Sequence, residues 1–188
     1  LGLYNSAIAF AMAGAFQNAI PFLRKLEGQK LAFDEIQLQA LAQIYSQNNE
    51  NEKAIKLLKA RDQKENLQIF DRSLLDLENG KTLKFNAFNT PSDALANVFY
   101  LMGNLDENIN KNPIGSIFYM QLAEFLSSDK DYYQMRVAEI LAGMELFSYS
   151  IEKFNQVDRA NIFYLRAQLG IADTLVRDGQ YKLAQNVL

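Results

Sequence analysis

Two pairs of carboxylates stand close together in the chain, Asp71 with Asp76 and Asp129 with Asp131. Paired acids in unlike environments are the equipment of general acid and base hydrolysis. Both pairs, however, fall at helix starts or in turns, where solvation and the helix dipole account for an acid without any substrate. The rest of the inventory does not complete an active site. The chain has no Cys and no His, which removes thiol nucleophiles, disulfides and thiolate metal sites along with the commonest general base and zinc ligand. The stretch "DLENGK" lacks the alternating oxygen ligands and closing Glu of a calcium loop, and no glycine-rich phosphate loop occurs. The expectation is a protein that is not an enzyme, with no cofactor and no metal.

What remains is contact chemistry. The chain carries 13 Phe and 9 Tyr, several of them adjacent: Phe99-Tyr100, Phe118-Tyr119, Tyr132-Tyr133 and Phe163-Tyr164. On a helix such a pair sends one ring inward and leaves the other nearer the rim. A rim Tyr is an effective contact residue because it combines apolar area with a hydroxyl, and Tyr132 is the first choice for that role.

The elements that position these residues follow from composition and period. With 188 residues, 49% hydrophobic, and only 9 Gly and 3 Pro, the chain reads as a folded protein rather than a disordered one. A net charge of -3 with Lys and Arg scattered along the chain gives no basic footprint, so nucleic acid is excluded as a partner. No run approaches the ~18 apolar residues of a membrane span. "LGLYNSAIAFAMAGAF" contains an Ala-Met-Ala triplet resembling a signal-peptide cleavage site, but it has no basic segment before it and reads better as an amphipathic helix. A start on Leu1 without Met is expected to reflect residues removed upstream. The absence of Cys is equally compatible with a cytoplasm and with an oxidising compartment.

Apolar residues recur at three- and four-residue spacing almost throughout, which is the helical period. The expected helices are 2–13, 16–27, 34–47, 51–60, 65–78, 92–103, 113–127, 132–144, 147–155, 160–177 and 180–188. The firmest start is Thr90-Pro91-Ser92-Asp93, with a hydroxyl at the N-cap, Pro at the first helical position and an acid at the third. Residues 80–90, "GKTLKFNAFNT", read as an extended strap whose aromatics cover a seam. Residues 103–112, "GNLDENINKN", read as a surface loop. Helices joined by tight turns are antiparallel neighbours.

A repeat runs through these helices. A small residue in alternate helices is followed four positions later by a larger apolar one: Ala19 with Leu23, Ala54 with Leu58, Ser116 with Met120, Ser150 with Phe154, and Ala184 with Leu188. Ala19 to Ala54 is 35 residues, while Ser116 to Ser150 and Ser150 to Ala184 are 34 each. The last unit adds Ile171-Ala172, Leu175, Gly179 and Tyr181. The unit before has Val137-Ala138, Leu141 and Phe147, the second has Leu41-Ala42, Tyr45 and Asn51, and the first has Ala7, Phe10, Gly14 and Phe16. In period and residue types the chain resembles the tetratricopeptide repeat family over most of its length. It lacks the usual Trp and the closing Pro, and 62 residues separate Ala54 from Ser116, which is not two periods. The order of elements also resembles part of a larger tetratricopeptide-type protein of the kind found in alphaproteobacteria.

The resemblance implies an all-α solenoid of antiparallel helix pairs, with about 10–11 helices in one domain spanning 1–188. Its repeats would be 2–27, 34–61, a degenerate 65–127, 131–157 and 160–188. It implies a concave face lined by first helices that binds a protein or peptide. On this sequence that face carries Gln39, Gln43 and Ser46 or Gln47, then Asn97 and Tyr100, then Tyr132, Met135 and Glu139, then Arg166, Asp173 and Arg177. The carboxylate clamp of chaperone-binding relatives is missing its basic members, because the matching faces offer Gln39, Gln43, Asn97, Glu139 and Asp173. Two rival roles remain: an accessory region of an enzyme whose site lies elsewhere, and a self-assembling structural solenoid. The last unit ends on Val187 and Leu188 with no polar capping helix. The chain is therefore expected to be an internal or truncated piece whose apolar end is a contact surface, for following residues or for self-association.

Overall fold

The computed structural model describes residues 2–27, 33–65 and 69–187, the side chains of 61–65 aside. The described residues form helices and connections with no strand: α1 Gly2–Met12, α2 Phe16–Leu26, α3 Glu35–Gln47, α4 Asn51–Glu65, α5 Asp71–Glu78, α6 Pro91–Asn108, α7 Pro113–Leu126, α8 Asp131–Gly143, α9 Phe147–Phe154, α10 Tyr164–Arg177 and α11 Tyr181–Val187. The chain divides into two compact units, Leu1–Ala94 and Leu95–Leu188. In the first, α1 packs on α2, α2 on α3, α3 on α4 and α4 on α5. In the second, the order continues from α7 on α8 through α10 on α11. Within each unit, packing of helices on their neighbours in sequence is the arrangement of a helical solenoid.

Helix ends are written in the local sequence. Asp34 caps α3 by accepting the Gln37 N–H at 2.9 Å, while Gln37 accepts the Asp34 N–H at 3.2 Å, a reciprocal capping box. Thr90 and Asp93 do the same for α6 at 2.9 and 3.1 Å, with Pro91 as the first helical residue. The turns inside four pairs share one geometry. Ala15 N–H reaches the Phe10 carbonyl, Glu50 the Tyr45 carbonyl, Leu146 the Leu141 carbonyl and Gln180 the Leu175 carbonyl. Each bond closes over a residue with positive φ: Gly14 at 71°, Asn49 at 61°, Glu145 at 61° and Gly179 at 78°. This is the left-handed turn that satisfies the last carbonyls of a helix.

The small residues of the repeat do what their size allows. Ala19, Ala54, Ser116, Ser150 and Ala184 are all at most 4% exposed, and Ser150 Oγ donates to the Ala138 carbonyl of the facing helix at 2.9 Å. Leu23, Leu58, Met120 and Phe154 are buried beside them. Leu188, the partner of Ala184, lies outside the described residues, as does the stretch 66–68 of the helix expected over 65–78. Gly170 of α10 lies against the Phe154 ring, where a Cβ would stand 2.4 Å from the nearest ring carbon.

Two expectations about connections are corrected. The Asn-rich stretch 103–112 is not a loop as a whole, since α6 runs on to Asn108. Gly103 is a contact point inside the helix, where a Cβ would meet Met120 Cε at 2.9 Å and the Ser116 carbonyl at 3.2 Å. The chain turns only at 109–112, where Asn112 N–H bonds the Asp106 carbonyl at 2.8 Å. At the other site, residues 160–163 are turns, and α10 begins at Tyr164. Asp158 accepts the Ala160 N–H at 2.8 Å and Asn161 accepts the Phe163 N–H at 3.0 Å, local bonds that compete with a helix.

Candidate functional site on the first-helix faces

In the first unit the site is built on α3. Positions 39, 43 and 47 follow each other at four residues and 46 stands three after 43, so they line one side of the helix. Residues 80–90 pass over that face as the expected extended strap. An extended segment without a strand partner must satisfy its backbone polar groups elsewhere, and here helix side chains do it. Gln43 Oε1 accepts the N–H of Asn86 at 2.9 Å and of Ala87 at 3.0 Å, while its Nε2 donates to Asn86 Oδ1 at 2.6 Å. Gln47 Nε2 donates to the Leu83 carbonyl at 2.6 Å. Leu83 N–H donates to Ser46 Oγ at 2.9 Å, the Ser46 hydroxyl donates to Asn51 Oδ1 at 2.8 Å, and Asn51 Nδ2 donates to the Lys81 carbonyl at 3.1 Å. Gln39 donates to Ser73 Oγ of α5 at 2.8 Å.

The strap is also held by apolar anchors. Leu83 and Phe88 are buried at 8% and 5% exposure, five residues apart, and Phe85 lies between Phe16 and Phe88 with ring centroids at 6.0 and 6.5 Å. Lys84 and Asn89 face solvent. The three glutamines expected to meet a partner thus bond the chain's own backbone, strap and α5.

In the second unit the expected residues fall into two groups. Asn97, Tyr100 and Tyr132 are buried. The Tyr100 and Tyr132 hydroxyls share a hydrogen bond of 2.8 Å, and Tyr132 packs on Phe163 at 5.1 Å. Tyr132 is therefore not a rim residue. Adjacent rings need not divide between inside and outside: Tyr100 of α6 packs on both Tyr132 and Tyr133, and both are buried.

Around this pair lies a charged chain. Arg136 bonds Glu139 and reaches Glu107 at 3.2 Å, and Arg166 reaches Glu139 at 3.0 Å. Burial works against the Arg136 charge, but Glu139, the Tyr100 and Tyr132 oxygens and Glu107 outweigh it and hold the guanidinium charged more firmly than in water. Arg177 donates to the Ala142 carbonyl at 2.8 Å and lies over the Phe147 ring at 5.6 Å. Asp173 is exposed. It borders an open, largely apolar hollow between α10 and α11 that includes Leu169, Val176 and Tyr181.

The structure therefore brings Tyr100 together with Tyr132 and Glu139 with Arg166, sets Arg177 against α8, and leaves Asp173 apart from them. Sequence reading missed Arg136, Glu107 and Asn86. Arg136 stands three residues before Glu139 on one helix face, a spacing that signals an ion pair. Asn86 had no signal until the strap was seen to lie on α3.

The paired acids have ordinary surroundings. Asp76 pairs with Lys81 at 2.7 Å. Asp129 and Asp131 belong to the turn before α8, where Asp129 accepts the Asp131 N–H at 3.3 Å. Burial, with the neighbouring Asp129 and Asp158 carboxylates, holds the Asp131 carboxyl above its usual range, partly offset by the Asp158 N–H. No group of three or more metal-ligating side chains occurs among the described residues, and no helix there is long and apolar enough to cross a membrane.

No family model and no curated protein matches the chain. Among solved structures it is similar to a crystal structure of nearly identical TPR-like repeats from Podosopora anserina, at 12% identity and a TM-score of 0.44, covering 99% of this chain and 90% of that one, and to a variant of that protein at 13% identity, a TM-score of 0.44 and coverage of 99% and 89%.

Proposed function

We propose that the chain is a non-catalytic interaction scaffold that holds an extended segment of a partner protein on its first-helix faces. The observation that carries this reading is Gln43. One amide on a helix accepts two consecutive backbone N–H groups and donates to a third polar atom of an extended segment, which is how a helical surface grips a peptide irrespective of most of its side chains. In the second unit the contact residues are the accessible residues expected on α8 and α10, Glu139, Arg166, Asp173 and Arg177, with the buried Asn97, Tyr100 and Tyr132 behind them.

The test is selection of binding peptides from a random display library against the full chain. Selected peptides are expected to lose at least tenfold in affinity when Arg166, Asp173 and Arg177 are replaced by Ala, and to be unaffected by Tyr149→Ala on α9, which is 64% exposed. Equal binding to the triple variant would overturn the assignment. A second reading, self-association, is supported by the open α10–α11 surface, where Leu169, Tyr181 and Leu183 are each at least half exposed. It predicts a mass that rises with concentration in sedimentation and stays monomeric in Tyr181→Glu.

A further inference from the structure

We propose that the α3 face of the first unit is a peptide site already occupied in cis by residues 81–88, and that a partner segment bearing the strap's own pattern takes it by displacing the strap. The proposal rests on the scaffold reading above and names the ligand that one face would accept.

The grip on the strap is largely indifferent to sequence. Gln43, Ser46, Gln47 and Asn51 meet the backbone N–H of residues 83, 86 and 87 and the carbonyls of 81 and 83. Any extended chain presents the same groups. Selectivity comes from the buried Leu83, the buried Phe88 five residues on with the Phe85 ring beside it, and Asn86, whose side-chain oxygen accepts from Gln43 Nε2. Lys84 and Asn89 are exposed and free to vary. The pattern sought in a partner is thus an apolar residue, an Asn three positions later and an aromatic two beyond that, in an extended, proline-free stretch, because the bonded N–H groups are required.

The ends of the strap are fixed by motifs of their own. Gly80 turns the chain out of α5 at φ 74° with the Lys81 N–H on the Asp76 carbonyl. Thr90 and Asp93 cap α6 reciprocally. Neither motif uses α3, so residues 82–89 can lift away without melting α5 or α6. A tethered segment competes at an effective concentration of about millimolar, so in the native chain a free peptide is largely excluded, and weakening the strap's anchors opens the site to it.

The experiment uses the full chain and a fluorescein-labelled synthetic peptide with the sequence of residues 79–90, read by polarisation. The expected result is that Leu83→Asp with Phe88→Ser in the chain raises peptide affinity at least tenfold over the native chain, and that adding Gln43→Ala abolishes the gain. No gain, or a gain that survives Gln43→Ala, overturns the proposal. If the double variant loses its helical circular dichroism, Asn86→Ala with Ala87→Pro leaves both apolar anchors in place and supports the same comparison, with the same two outcomes. Loss of the cis site while display-selected peptides still depend on Arg166, Asp173 and Arg177 refutes this inference alone. The reverse result refutes the second-unit assignment and leaves the α3 site standing.

Discussion

Two glycines on neighbouring first helices should respond to the same substitution with opposite signs. A Cβ at Gly170 would stand 2.4, 2.7 and 2.9 Å from three Phe154 ring carbons, while one at Gly143 meets nothing within 4 Å. Carbon pairs settle at about 3.5–4.0 Å, so Gly170→Ala requires a displacement of more than about 1 Å between α10 and a stiff ring that is itself 2% exposed. Overpacking of this kind costs about 1–3 kcal/mol, and so large a displacement belongs at the upper end. Ala gains up to about 1 kcal/mol over Gly in a helix interior, leaving a net loss of about 2 kcal/mol. At Gly143, the last residue of α8, only the favourable part operates, a gain of up to about 0.4–1 kcal/mol. Thermal unfolding followed by circular dichroism should show Tm falling by about 4–8 °C for Gly170→Ala and rising by about 1–3 °C for Gly143→Ala. Equal shifts of the same sign would refute the close approach of α9 and α10, and with it the reason that position is Gly.

The hydroxyl pair and the acid groups give further tests. Tyr100→Phe and Tyr132→Phe should each destabilise the chain by about 1 kcal/mol, with a coupling of about 0.5–1.5 kcal/mol in the double-mutant cycle by urea unfolding, and strict additivity would exclude the 2.8 Å bond. The Tyr45 hydroxyl and Lys53 hold the Glu27 carboxyl below its ordinary range. Its stabilisation is present above the unfolded value and is lost as pH falls through the folded one. The Glu27 side chain is 44% exposed, so the effect is under about 1 kcal/mol and shrinks with salt, and Glu27→Gln should flatten the acid limb of stability against pH by that amount. Tyr45 shifts the other way: burial, then its bond to Glu27, raises the phenol well above 10. Its contribution is intact below the unfolded value near 10 and declines at higher pH, a decline that Tyr45→Phe should remove.

The helices were legible because their starts, turns and small-residue seams are local. Thr90-Pro91-Ser92-Asp93 encodes its own cap, and the positive-φ turns at Gly14 and Gly179 are marked by the only residue that adopts them at no cost. Asn49 lies in the polar run Gln47-Asn48-Asn49-Glu50 and is the next residue type after Gly to take this conformation, while Glu145 occupies the same turn without such a mark. Gly103 misled because a glycine that ends a helix and a glycine that lets two helices touch look alike in one dimension, and only Met120 and Ser116 in space separate them. Tyr132 misled for a related reason: the periodicity of one helix does not tell how many neighbours cover it. The glutamines at 39, 43 and 47 share one face of α3 by their spacing, but what lies on that face is set by a segment some forty residues away, a relation that no local pattern carries.

Side chains of α3 read the backbone of the strap, and residue-resolved amide hydrogen exchange measures that directly. The amides of Leu83, Asn86 and Ala87 should be protected in the native chain, and Gln43→Ala should lower protection at Asn86 and Ala87 by at least about tenfold, the equivalent of about 1.4 kcal/mol, while Leu83, held by Ser46, keeps its own. Unprotected strap amides in the native chain, or an equal loss at all three positions in the variant, would contradict it.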